Sequence, residues 1–439
     1  MEIGIISLGC AKNLINTEQM MFLLSRAGYK VSGNTKDVDV VVLNTCGFIE
    51  AAKNEAIETI IELAELKANN QFDKLIVTGC LSERYKSEIL KEFPEIDAIV
   101  GTGAFDDIVD VVDRIFLEKG YDKREYYGDI NAPISEVGRI ITTSSAWAYI
   151  KIAEGCDNNC AYCVIPSIRG RFRSRSIENI VAEANSLVKR GIKELIVVAQ
   201  DVTMYGVDLY NKQMLVELLK ELNAIKELKW IRLHYLYPDK IDNNLIDFIS
   251  RCDKILKYLD IPIQHINDEI LVKMNRRGSG KQIRELFNSL RERVPGIVLR
   301  TSIITGLPGE TEKEFNELCD FMLEAKIERA GIFPYSPEEG SAAAQMDRPD
   351  TDIAVTRAGL LTDLQTGIMD AFDQSRVGNV VSVLIEGCDE EGMYYGRSFA
   401  ESPEIDGYIT VMGSDIKQNE FINVCITEAA DGIVRGIVV

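Results

Sequence analysis

Residues 154–170 read EGCDNNCAYCVIPSIRG and place Cys156, Cys160 and Cys163 within eight positions. Structural zinc takes four ligands, usually as two closely spaced pairs, and no fourth Cys or His follows nearby. Iron–sulfur cubanes are held by thiolates. Three thiolates on a four-iron cluster leave one iron without a protein ligand, open to a substrate or cofactor. The spacing predicts a cluster with a vacant site, whose ligands are Cys156, Cys160 and Cys163.

Three more cysteines share a different pattern. Cys10 follows IISLG, Cys46 follows VVLNT and Cys80 follows LIVTG. Each stands just past the end of an apolar run that reads as a strand. In a doubly wound parallel sheet such ends face one side, where ligands bind. Residues distant in sequence can therefore meet there. Free cysteine is also a common core residue, so three buried structural thiols remain the alternative. The repeated placement after Gly or Thr favours a second metal site. Cys252, Cys319, Cys388 and Cys425 belong to no motif and are expected in cores.

The elements that must position these thiols fall into three segments. In residues 1–135, IGIIS, VDVVVLN, KLIVTG and DAIVG alternate with four amphipathic helical patterns, the last covering 106–120. That order predicts a parallel sheet covered on both faces. Residues 128–139 read as a linker. From 140 to 335, strand candidates begin at Trp147, Glu194, Trp230, Leu256, Ile297 and Arg329, separated by helices. Six β/α units suggest a partial barrel with chemistry at the C-terminal strand ends. A helix over 351–372 closes this segment. Residues 377–439 hold five short strands with Gly turns, which fit a small β-barrel of the oligonucleotide-binding type.

The chain has 439 residues, 46% of them apolar and 27% charged. That length implies more than one domain. No apolar run reaches the roughly eighteen residues of a membrane span. LGC at 8–10 lacks the basic and long apolar flanks of an export signal, so a cytoplasmic protein with reduced thiols is expected. The formal charge is −20. Residues 1–135 hold 23 acidic against 14 basic side chains, 136–371 hold 34 against 31, and 372–439 hold 12 against 4. Acidic ends weigh against nucleic acid as the main partner and favour a basic protein.

The three-cysteine loop, with Tyr162 in its aromatic slot, resembles the radical S-adenosylmethionine (SAM) enzymes. The resemblance implies that the vacant iron chelates SAM and that reductive cleavage yields a 5′-deoxyadenosyl radical. SLGCAKNLINTE, VLNTCGFIEAAKNEAI, VTGCLSERY, EGCDNNCAYCVIPSIRGRFRSR and LRTSIITGLPGETEKEF look like the methylthiotransferases over nearly the whole length. The implied domains are an N-terminal methylthiotransferase domain (1–135), a radical SAM domain (136–373) and a TRAM β-barrel (374–439). The implied cofactors are SAM and two 4Fe–4S clusters, the second held by Cys10, Cys46 and Cys80. SAM would serve both as methyl donor and as radical source.

GCAKN and NTCGFIEAA resemble the branch that adds methylthio to the β-carbon of an aspartate in the twelfth protein of the small ribosomal subunit. The tRNA-modifying branch tends to have Gln-Met after the first Gly-Cys and an Arg shortly after Asn-Thr-Cys. The acidic barrel points the same way, because phosphate backbones call for a basic one. A basic ribosomal protein, free or in the subunit, is the expected partner, with an electron donor and a sulfur source. A tRNA methylthiotransferase and a non-catalytic cluster scaffold are the alternatives; the resemblance leans to a monomer.

The resemblance also assigns weaker positions. Gly306 and Glu310 of GLPGE resemble a segment beside the adenine and ribose. Gln200 and Asp201 end the second barrel strand, where polar contacts to SAM or substrate are placed. Arg300 lies within a strand and needs a partner if buried, either a SAM carboxylate or a structural acid. Arg169, Arg171, Arg173 and Arg175 alternate and would share one face if extended. His234 and His265 read as pocket-lining or structural residues.

Overall fold

The computed structural model describes residues 1–117 and 123–439. The last residues of the helical pattern expected over 106–120 lie outside the described residues. Two compact units are present. The first joins Met1–Thr142, Lys151–Asn179 and Ser336–Ala344. The second joins Thr143–Ile150, Ile180–Tyr335 and Gln345–Val439.

Strands Glu2–Ser7 (β1), Lys30–Ser32 (β2), Val40–Thr45 (β3), Lys74–Gly79 (β4), Ala98–Val100 (β5) and Glu125–Tyr126 (β6) form a parallel sheet in the order β2-β1-β3-β4-β5-β6. Successive residues of a strand point to opposite faces. Val40 and Val42 of β3 accordingly enter one core with Met20, Leu24 and Val111, whereas Val41 and Leu43 enter another with Ile60 and Leu63. Helices Ala11–Arg26 and Ile108–Leu117 cover the first face, and helix Glu50–Ala68 covers the second. This is the doubly wound sheet the alternation predicts.

The amphipathic pattern between KLIVTG and DAIVG forms two helices rather than one, Cys80–Tyr85 and Ser87–Glu92. Lys86 divides them with φ of 49° and ψ of −130°, a conformation outside the helical region that breaks the ladder. The 128–139 linker has little regular structure but is tied down. Arg139 pairs with Glu18 at 2.8 Å, and Glu136 pairs with Arg175 at 2.6 Å.

The remaining strands are Trp147–Lys151 (β7), Ala153–Glu154 (β8), Arg173–Ser174 (β9), Glu194–Val198 (β10), Trp230–Leu233 (β11), Ile255–Asp260 (β12), Val298–Thr305 (β13), Arg329–Pro334 (β14), Val380–Cys388 (β15), Tyr394–Arg397 (β16), Ile409–Met412 (β17), Phe421–Ala430 (β18) and Ile433–Val438 (β19). A six-stranded open sheet runs β14-β13-β12-β11-β10-β7. The pairs from β10 to β14 are parallel, as expected of a partial β/α barrel. Helix Thr351–Ser375 packs on its edge. Strands β15–β19 close a barrel in the order β15-β16-β17-β19-β18 around Val383, Ile385, Val411, Val424 and Ile426.

Two charged networks are buried in the second unit. Glu194 accepts from Arg232 and from Arg397, each at 2.7 Å, and all three are fully buried. Glu401 meets Arg376 and Arg329. Among the described residues, no helix is long and apolar enough to cross a membrane.

Candidate active site in the first unit

The three N-terminal cysteines stand at the C-terminal ends of β1, β3 and β4, two of them immediately after the last strand residue. Glycines let their loops meet. At Gly9, a Cβ would lie 2.6 Å from the Cβ and 3.2 Å from the sulfur of Cys46. At Gly47, a Cβ would lie 2.7 Å from Leu81 Cα, on the loop of Cys80. Burial pushes the Cys46 thiol up to about 11, and the charges of Cys80 and Cys10 add to the rise. Burial also raises Cys80, against the pull of Arg169. Cys10 lies at the exposed rim. Neighbouring groups still shed water from its thiol, but Lys12, Arg169 and backbone donors outweigh that cost and lower its pKa.

Asn13 binds these loops together. Its side-chain amide donates to Leu8 O at 2.7 Å and to Thr45 O at 3.3 Å. Those carbonyls precede Cys10 and Cys46 in the chain. Asn44 in turn donates to Asn13 O at 3.0 Å.

The three-cysteine loop lies in the same unit. The Cys156 N–H donates to Gly170 O at 3.1 Å, and the Cys163 N–H donates to Cys160 O at 3.0 Å. Asn158 and Ile165 each donate a backbone N–H to a cysteine sulfur, Cys156 and Cys163 respectively, at 3.5 Å. Asp157 bridges the loop to Arg171 at 2.7 Å. Although partial burial opposes its charge, the Arg171 and Phe172 donors hold its carboxyl below the usual range. Ala343 donates to Ala161 O at 2.8 Å, so residues 336–344 brace the loop.

Cys80 packs against the segment that follows the three-cysteine loop. Cys80 shares a small apolar cluster with Phe48, Val164 and Ile168. Ile168 and Arg169 belong to the short helix Ile165–Arg169, which Pro166 starts and Gly170 ends at φ of 73°. Arg169 Nη2 donates to Cys80 Sγ at 3.3 Å and to Asn13 Oδ1 at 3.0 Å. Its Nη1 donates to Asn16 Oδ1 at 2.8 Å and to Glu154 Oε2 at 3.4 Å. Lys151 completes this buried group by pairing with Glu154 at 2.6 Å. The alternation in sequence predicts that Arg169 and three later arginines share one face if extended. The helix overturns that: Arg169 turns inward to Cys80, Arg171 is exposed, and Arg175 is buried against Glu136.

Tyr162 is half-buried between Cys160 and Cys163. The other predicted positions lie in the second unit. Gln200 follows β10, and Asp201 is buried and accepts the Thr203 N–H at 3.0 Å, holding the turn Val202–Met204. Arg300 donates to Asp260 Oδ1 at 2.8 Å. Gly306 turns at φ of 73°, and a Cβ there would lie 2.3 Å from Ala354 Cβ. Glu310 accepts from the Gly306 N–H at 2.8 Å and from Arg357 at 2.7 Å, and faces His265 Nε2 at 3.3 Å. Its carboxylate thereby holds the GLPGE turn. His234 is buried, with Nε2 2.9 Å from the hydroxyl of Ser402.

Comparison with known proteins supplies the family. A protein named ribosomal protein uS12 methylthiotransferase RimO, from Thermoanaerobacter sp. (strain X514), is 48% identical over 432 residues, covering 98% of each chain. One of the same name from Acetivibrio thermocellus is 45% identical over 439 residues, covering 98% of this chain and 96% of its own. The chain belongs to the RimO family.

Three family models match within this RimO-family chain: uncharacterized protein family UPF0004 over residues 2–101, the radical SAM superfamily over 150–322, and the TRAM domain over 377–439. Among solved structures, the radical S-adenosylmethionine methyltransferase TsrM from Kitasatospora setae aligns with a TM-score of 0.57 at 14% identity, covering 75% of this chain and 72% of its own. The cobalamin-dependent radical enzyme OxsB aligns at 0.51 and 11%, covering 83% and 56%. These two likenesses concern the fold.

The thiols fit a thiolate-bound cofactor. None of the ten cysteines forms a disulfide among the described residues, and half-buried Cys46 and buried Cys80 ionise reluctantly without a bound cation. No three of His, Cys, Asp and Glu are grouped as one bound metal ion requires, again among the described residues.

Proposed function

We propose that this chain methylthiolates the β-carbon of an aspartate in ribosomal protein uS12, the twelfth protein of the small subunit. Family membership supports the reaction and the substrate. The observation that carries the two-site reading is the contact of Cys80 with Val164, Ile168 and Arg169. It supports a reading in which the N-terminal cysteines lie beside the loop of Cys156, Cys160 and Cys163. In this reading each set holds one 4Fe–4S cluster, and the latter also takes SAM.

Bound there, such clusters supply electron transfer and sulfur chemistry that side chains cannot perform. The chain's own residues hold and shield the site. Asn13 fixes the loops of Cys10 and Cys46, and Arg169 fixes Cys80. The backbone N–H groups of Asn158 and Ile165 face two thiolates of the other set. The resemblance assigns SAM contacts to Tyr162 in the first unit and to Gln200, Asp201, Arg300, Gly306 and Glu310 in the second, where Glu310 keeps the Gly306 turn rigid.

The acidic residues 372–439 suit a strongly basic protein partner and repel nucleic-acid phosphate. We assign residues 1–135, 136–373 and 374–439 to cluster, SAM and docking functions. The enzyme works in the cytoplasm as a monomer with a separate electron donor and sulfur source. Release of 5′-deoxyadenosine under anaerobic conditions tests the substrate. Added uS12 should stimulate it and added tRNA should not; stimulation by tRNA alone would contradict the proposal.

A further inference from the structure

Arg169 touches both cysteine-bearing regions through one buried guanidinium. It belongs to the segment that carries Cys163, six residues earlier, yet its Nη2 reaches Cys80, 89 positions away in sequence. The same nitrogen holds Asn13, whose amide spans the carbonyls just before Cys10 and Cys46. All three N-terminal cysteine loops are thus connected, directly or through one side chain, to Arg169. The opposite edge of the fork meets Glu154, two residues before Cys156. Arg169 is only 4% exposed, so water does little to screen its charge.

We infer that Arg169 is a positioning residue that seats Cys80 and raises the reduction potential of the cluster held by Cys10, Cys46 and Cys80. This rests on the two-cluster reading above. Hydrogen bonds to ligand sulfurs and nearby charge tune the potential of a thiolate-bound cluster. Reduction adds negative charge to the cluster, and a fixed cation 3.3 Å from one ligand sulfur favours the reduced form. Lysine would keep the charge but lose the planar fork that binds Asn13 and Cys80 together.

The test uses the full-length chain with Cys156, Cys160 and Cys163 all changed to Ala, reconstituted with iron and sulfide. Only the N-terminal set can then hold a cluster. A potentiometric titration followed by electron paramagnetic resonance reads its midpoint. Arg169→Met should retain iron and move the midpoint to a more negative potential. Arg169→Lys should move it less, in the same direction. An unchanged midpoint in Arg169→Met with iron retained would overturn the inference. Should Arg169→Met bind no iron, Arg169→Lys decides: a negative shift supports the inference and an unchanged midpoint overturns it. If the parent triple-alanine chain binds no iron, the two-cluster reading fails and this inference falls with it.

Discussion

Arg84 donates to Glu338 at 2.7 Å, joining residues 254 positions apart. Arg84 lies in the helix that Cys80 begins, and it also donates to Gly47 O at 2.9 Å, beside Cys46. Lys53 approaches the same Glu338 oxygen at 3.2 Å. The segment 336–344, which braces the three-cysteine loop, is thus anchored to the loops of Cys46 and Cys80.

Glu338→Ala should therefore destabilise the first unit. It leaves the buried Arg84 without its carboxylate, a change that costs about 3–5 kcal/mol, whereas Lys53 keeps Glu50 at 2.6 Å. Urea denaturation of the chain would show a lowered midpoint. An unaltered midpoint would mean that Arg84 finds another partner.

Gly79→Ala should disturb Cys80 selectively. Gly79 sits at φ of 97°, and a Cβ there would lie 2.3 Å from Asn44 Oδ1 and 2.5 Å from Thr45 O. Strain of this kind costs about 1–3 kcal/mol. Iron per reconstituted chain should fall by about half, because only one set of thiolates is displaced. Full iron content would show that the loop adapts.

Glu401 makes acid stability testable. Burial alone would raise its carboxyl, but Arg376, Arg329 and Ser398 hold it down to about 2, against an ordinary 4.5. Its contribution is complete above the ordinary value and is lost as pH falls from about 4.5 towards about 2. The loss is on the order of 3 kcal/mol. In the apo chain, Glu401→Gln should flatten stability against pH across that window. A slope equal to the parent's would contradict this assignment.

Glu194→Ala should leave Arg232 and Arg397 buried without their shared acid. A destabilisation of about 3–5 kcal/mol is expected. Thermal unfolding should register it, whereas iron content should hold, since no cysteine of either set lies in this network. Iron loss at temperatures where the chain stays folded would contradict that separation.

The sequence disclosed features whose parts are adjacent in the chain. Cys156, Cys160 and Cys163 are legible because three ligands fall within eight positions. The doubly wound sheet is legible because β1, β3 and β4 each carry an apolar run (3–6, 40–43 and 75–77) between amphipathic helices. Strands β2 and β6, of three and two residues, carry no pattern long enough to read. The break at Lys86 carries none either, since nothing in a lysine announces a positive φ. In the sequence Arg169 is one of four alternating arginines. Its partners lie 15 to 156 positions away, and only the packing of the short helix against Cys80 reveals them.

Mass spectrometry of uS12 tests the central claim most directly. The chain, reconstituted with iron and sulfide, would be incubated anaerobically with SAM, a reductant and uS12. One methylthio group should appear on one aspartate, and it should be absent with Cys10→Ala and with Cys156→Ala. Unmodified uS12 alongside released 5′-deoxyadenosine, or full modification by either variant, would contradict the account.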